Sequence, residues 1–237
     1  MVELQTDEEK AEAIKKWWKE NGLAVVSGVA IGLAIIFGWR AWMSYQDQLG
    51  QQASLAFEEL MVTVNQVSLM APAPADADPA SSDSESASDE LSALLTVASE
   101  QQARLNEDFG STAYAYFGQL ALAKAHSDQG QLEAAAEALR GALDQAPTAL
   151  LKTLAGLRLA RVLIAAQDYA AAGAVIDQHE QDNSFAADFA ALRGDIAVAE
   201  DRIEDARAAY RQALEGDVAA AGLIELKLQD LPTSTGS

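Results

Sequence analysis

Residues Asn21 to Trp39 run without a single ionisable side chain. As a helix rising ~1.5 Å per residue the run covers roughly 28 Å, close to the hydrocarbon thickness of a bilayer. Lys19-Glu20 closes it on one side and Arg40 on the other. Trp17 and Trp18 stand just outside one end, Trp39 and Trp42 at the other, so all 4 tryptophans flank this one segment. Indole favours the headgroup layer, where its ring is half buried and its N–H stays wet. A core helix of a soluble domain has no reason to carry tryptophan only at its ends. A cleaved signal peptide has a shorter apolar region, ~7–15 residues, and a small-residue cleavage site. Gly38-Trp39-Arg40-Ala41-Trp42 is no such site. The segment reads as an uncleaved signal-anchor helix.

Orientation follows from lysine and arginine, because acidic residues contribute little to the positive-inside rule. Lys10, Lys15, Lys16 and Lys19 precede the anchor; after Arg40 the next basic residue is Arg104. The N-terminal segment is therefore expected in the cytoplasm and the remainder outside, which in a bacterium is the periplasm. Thr6-Asp7-Glu8-Glu9 has the pattern of a capping box, and lysines crowd the far end of the segment it opens. Both features suit a short helix over 7–20. Its apolar positions Ala11, Ile14, Trp17 and Trp18 share one face. That face is expected on the membrane or running straight into the anchor. Within the anchor Ala24, Gly28 and Gly32 recur every four residues, and Gly28-Val29-Ala30-Ile31-Gly32 is a GxxxG pattern. Such a stripe lets a second membrane helix approach closely, although glycine is also common in membrane helices without that role.

Residues 43–69 read as a long helix, with Leu49, Ala53, Ala56, Phe57, Leu60, Val64 and Val67 at helical spacing. From Ala71 to Glu90 the chain turns to Pro, Ser, Ala and Asp, with no basic residue and almost nothing large to bury. That composition predicts a disordered acidic insertion.

The chain then repeats. Leu132, Tyr169 and Ile203 each follow a polar turn: Asp128-Gln129-Gly130-Gln131, Gln167-Asp168 and Glu200-Asp201-Arg202. An alanine stands three residues on (Ala135, Ala172, Ala206), and a large residue four beyond it (Leu139, Ile176, Tyr210). Small residues occupy matching places in the preceding segments: Ala123, Ala160 and Gly194. The offsets, 37 and 34 residues, are near the tetratricopeptide period of paired helices. Alanine or glycine is needed where helix backbones nearly touch, with bulky residues filling the space beside them. A plain helical bundle is the competing reading. A last amphipathic helix from Asp217, with Leu223, Ile224, Leu226, Leu228 and Leu231 as its apolar positions, suits a cap on the stack.

The fold expected is all-α: a single N-terminal transmembrane helix followed by a tetratricopeptide-like helical-hairpin solenoid. Its parts are a cytoplasmic amphipathic helix (1–20), the anchor (21–42), the exported domain (43–231, with the insertion at 71–90) and a flexible tail (232–237). The net charge of −20 argues against nucleic acid, whose phosphates need a basic face. The chain has no cysteine, which removes disulfides, thiolate metal sites and a cysteine nucleophile. His126 and His179 lie far apart in alanine-rich helical sequence and read as packing or solvated side chains. There is no Ser/His/Asp order, HExxH or phosphate loop, so neither an enzyme nor a cofactor is expected. An adaptor whose repeat groove holds a chaperone or client segment is the first reading. A membrane-tethered regulatory scaffold, whose cytoplasmic segment binds a soluble regulator, is the alternative.

Three segments point further: Ala13-Ile14-Lys15-Lys16-Trp17-Trp18-Lys19-Glu20-Asn21-Gly22 with Gly38-Trp39-Arg40-Ala41-Trp42, Leu157-Arg158-Leu159-Ala160-Arg161-Val162, and Ala190-Ala191-Leu192-Arg193-Gly194-Asp195. In these the chain resembles the YfgM family, ancillary subunits of the SecYEG translocon of Gram-negative bacteria. The resemblance implies a single-pass inner-membrane protein with a periplasmic tetratricopeptide-like domain. It also implies partnership with SecYEG and the periplasmic chaperone PpiD, and a part in handling secreted client proteins. The Pro/Ser/Asp segment at 71–90 departs from that family's pattern.

Overall fold

The first proline of the chain is Pro72, and everything from Asp7 to Leu69 is one helix, α1. The computed structural model describes residues 7–70, 82–179, 185–218 and 220–232. The segments expected as separate helices at 7–20 and 43–69 are thus continuous with the anchor between them. Nothing in α1 stops it: its glycines cost helix propensity but remove no hydrogen bond, unlike proline. Thr6, the expected N-cap, lies outside the described residues.

Among the described residues the other elements are α2 (Ser82–Phe109), α3 (Ala113–Asp128), α4 (Leu132–Gln145), α5 (Ala149–Ala165), α6 (Tyr169–His179), α7 (Ala186–Ala199), α8 (Ile203–Glu215) and α9 (Ala221–Asp230), with no strand. The chain divides into two compact units, Met1–Gln51 and Gln52–Ser237. The start of α2 corrects the expected loop. Residues 71–81 lie outside the description, but 82–90 are helical. Serine and acidic residues do little for a helix interior, yet they suit an N-terminal turn, where they complement the dipole. The composition of 82–90 therefore permits a helix start as well as disorder.

In the second unit α3 and α4, α5 and α6, and α7 and α8 form successive hairpins, with α5 packed on α7 and α9 on α8. Each hairpin turns the same way. Gly130, Gln167 and Asp201 sit in the left-handed region with φ of 72°, 62° and 59°. In the first turn Gly130 N–H donates to Ser127 O (3.0 Å) and Gln131 N–H to His126 O (2.9 Å). The pair recurs as Gln167 to Ile164 (3.0 Å) with Asp168 to Leu163 (2.9 Å), and as Asp201 to Val198 (3.0 Å) with Arg202 to Ala197 (2.8 Å). Each is a Schellman cap, which satisfies the orphan carbonyls of a helix end and reverses the chain. The carbonyls of Gln131, Asp168 and Arg202 then accept from Ala135, Ala172 and Ala206, starting the second helix of each pair. Pro147 separates the first hairpin from the second, and Ala146 before it is extended, as a residue preceding proline must be.

Apolar residues of α1 (Leu60, Val64, Val67), α2 (Leu95, Ala98, Leu105) and the two following hairpins form one core that reaches Phe189, Leu192 and Ile196 of α7. A second cluster closes the far end around Tyr210, Ala206, Ala213, Ile224 and Leu231. The Gln129 side chain, reaching from the first hairpin turn, donates to Val67 O (3.2 Å) and Met70 O (3.1 Å) and so caps the end of α1. In α9 only part of the expected apolar face packs. Ile224 is buried and Leu228 half-buried, whereas Leu223 and Leu226 stay 53% exposed. One neighbour, α8, covers one side of a terminal helix.

Candidate interaction groove

Three stripes of side chains meet in a cavity of about 550 Å³ within the second unit. Phe57 and Met61 come from the latter part of α1. Phe117, Leu120, Ala121, Lys124 and Asp128 come from one face of α3. Leu154, Arg158 and Val162, each four residues apart, come from α5. These i, i+3, i+4 spacings bring a continuous strip of each helix to the same side. Leu139 and Ala123 also line the cavity, and both are buried. Aromatic packing orders one wall: the Phe57 and Tyr114 rings lie 5.6 Å apart, and Tyr116 meets Phe117 edge-on at 5.2 Å. Tyr116 is fully buried and donates its hydroxyl to Leu151 O (2.8 Å), tying α3 to α5. Burial raises its pKa, with the Arg158 charge opposing. Phe117 remains 42% exposed.

The wall is apolar and its charges are few. Lys124 pairs with Asp128 one turn on. Arg158 is exposed and has no ion-pair partner among the described residues. A second cavity, of about 430 Å³, is lined by α6, α7 and α8 and mixes charged with small apolar side chains. Its charges are already paired, Arg193 with Asp177 (2.7 Å) and Arg202 with Asp205 (2.7 Å).

The repeat positions Ala123, Ala135, Ala160, Ala172, Gly194 and Ala206 are all buried. A Cβ on Gly194 would run into the Tyr210 ring, so this close approach of α7 and α8 needs glycine. Three further close approaches at mid-helix glycines escaped the repeat pattern. A Cβ on Gly118 would strike Gln102, one on Gly141 would come within 2.7 Å of the Gln119 amide, and one on Gly156 within 2.6 Å of the His179 ring. Mid-helix glycine is costly, and that cost is the signal that a neighbour lies close. His126 and His179 are both buried. His126 Nδ1 lies 2.8 Å from Gln131 Oε1. The pKa of His179 is lowered by burial and by the nearby Lys152. Among the described residues no three His, Asp or Glu side chains are grouped to hold a metal.

In the first unit Trp17, Trp18, Trp39 and Trp42 are between 52% and 62% exposed, and Arg40 is exposed. The Trp39 and Trp42 rings meet at a tilt with centroids 5.4 Å apart, and the Trp18 ring covers the space beside Gly22. Ala24 and Gly28 are exposed and Gly32 half-buried; a Cβ on either glycine would meet nothing. The helix is long and apolar enough to cross a membrane, with a mean hydropathy of 2.1 over its most apolar window.

A stack of helical hairpins with an open apolar groove, in one chain with a helix of bilayer length, defines the class: a helical-repeat protein with a membrane-competent helix. More narrowly, the tetratricopeptide repeat-like domain family matches residues 15–233, and the chain belongs to it. The chain is 28% identical over 229 residues to the ancillary SecYEG translocon subunit of Escherichia coli (strain K12), covering 96% of this chain and 97% of that one. It is 28% identical over 226 residues to the protein of that name from Haemophilus influenzae, covering 95% and 97%. The protein of that name from Aggregatibacter actinomycetemcomitans is 27% identical over 223 residues, covering 94% and 93%. The resemblance carried by 13–22 and 38–42 is thereby borne out. No solved structure matches the chain.

Proposed function

We propose that this protein is a non-enzymatic adaptor of the bacterial inner membrane that works beside the SecYEG translocon. α1 crosses the bilayer once through residues 21–42, with residues 1–20 in the cytoplasm and the repeat domain in the periplasm. Trp17, Trp18, Trp39 and Trp42 lie at the two interfaces, Arg40 anchors the outer one, and the Ala24, Gly28, Gly32 stripe is open to another membrane helix. The groove holds a segment of a periplasmic chaperone of the PpiD type or of a secreted client, so that the protein links translocation to folding. The carrying observation is that bilayer-length helix and repeat domain occur in one chain, aligned almost end to end with proteins named for their place at that translocon.

The test is purification of the tagged full-length protein in mild detergent, joined to photocrosslinking from Gly28 and Phe117 in intact membranes. Translocon and chaperone adducts are expected. Their absence from both positions removes the adaptor reading. Protease added to spheroplasts is expected to digest the repeat domain; survival until lysis inverts the topology.

A further inference from the structure

Resting on the adaptor reading, we propose that the α1–α3–α5 groove takes a short apolar segment of a partner protein that carries a carboxylate, and that Arg158 receives it. The argument is one of sign and surroundings. Beyond Arg40 the chain has about 30 acidic and 11 basic residues, a strongly anionic domain. The groove reverses that sign. Its charged lining is Lys124 and Arg158 against Asp128 alone. Lys124 and Asp128 neutralise each other, which leaves the Arg158 guanidinium uncompensated beside an apolar wall. A guanidinium presents a planar fork that matches a carboxylate two bonds at a time, and it is less strongly hydrated than an ammonium. Phe117, Leu154 and Val162 offer apolar surface within the same cavity. An acidic residue among apolar ones satisfies both halves of the site. A basic segment, although drawn to the domain as a whole, meets an unpaired cation here.

Arg158 is exposed, so exchanging it disturbs no packing. The assay uses the full-length protein in nanodiscs and two fluorescein-labelled probes: a short peptide of leucine, phenylalanine, alanine and glutamate, and its counterpart with lysine in place of glutamate. Fluorescence anisotropy is expected to show the glutamate peptide binding roughly tenfold more tightly. Arg158→Glu is expected to abolish or invert that preference, and Arg158→Lys to retain part of it. Phe117→Ala weakens both peptides while leaving their ratio in place. Equal binding of the two peptides, a lysine preference, or a preference that survives Arg158→Glu overturns the proposal. So does concentration-dependent dimerisation in sedimentation that Arg158→Glu removes, because the occupant is then a second copy. Failure here with translocon adducts still present in membranes rejects only the groove's occupant. Loss of those adducts from the unmodified protein rejects the adaptor reading, whatever the peptides do.

Discussion

Gly194 is where a single atom decides stability. A methyl group there meets the ring of Tyr210, which is itself buried and bonded through its hydroxyl to Asp195 Oδ1 at 2.7 Å. Neither partner has room to move, so Gly194→Ala is expected to cost about 1–3 kcal/mol, read from urea denaturation. The hairpin turns give the opposite sign. Gln167 occupies, at φ 62°, the left-handed position that Gly130 fills in the first hairpin. Gln167→Gly is expected to raise stability by about 0.5–1 kcal/mol, while Gly130→Ala lowers it by a similar amount. His179 adds a pH dependence. Its folded pKa is below the ordinary 6.5, so the unfolded chain binds the proton more readily. The contribution is therefore complete above pH 6.5 and is lost as pH falls below it through the lowered folded value. Urea midpoints taken between about pH 7.5 and 5 are expected to fall more steeply in the native sequence than in His179→Gln.

At the scale of an element, the end of α1 depends on a residue from another helix pair. Its last carbonyls are received by the Gln129 amide, which bonds Val67 O and Met70 O. Gln129→Ala is expected to cost about 1–2 kcal/mol for the two bonds. Hydrogen exchange would show faster opening confined to the last turn of α1 and its neighbours. The helix pairs themselves were readable in the chain. Alanine, glycine and a large residue recur at fixed distances, and polar turns interrupt them, because close helix approach demands small side chains at one register. The continuity of α1 and the helical start of α2 were less so. A run of serine and aspartate carries no apolar periodicity, and without it disorder and a helix N-terminus look alike.

At the scale of the whole molecule, the apolar segment and the repeat domain are separate in their physics. Ile31→Asp places a charge in the middle of the anchor, which is expected to cost about 2.5–3.5 kcal/mol in insertion. The measurement is the fraction of protein that resists carbonate extraction of membranes. The second unit has a core of its own, and its thermal midpoint is expected to change little in this variant.

Local chemistry alone determined the bilayer-length apolar helix and the register of the three hairpins, since span length and close packing each leave a mark on neighbouring residues. Only the tertiary structure decided the groove. Phe57, Phe117, Leu154 and Arg158 are spread over about a hundred positions and share no motif. What unites them is the stacking of α3 and α5 beside the end of α1, and with it one cation that has no ion-pair partner among the described residues.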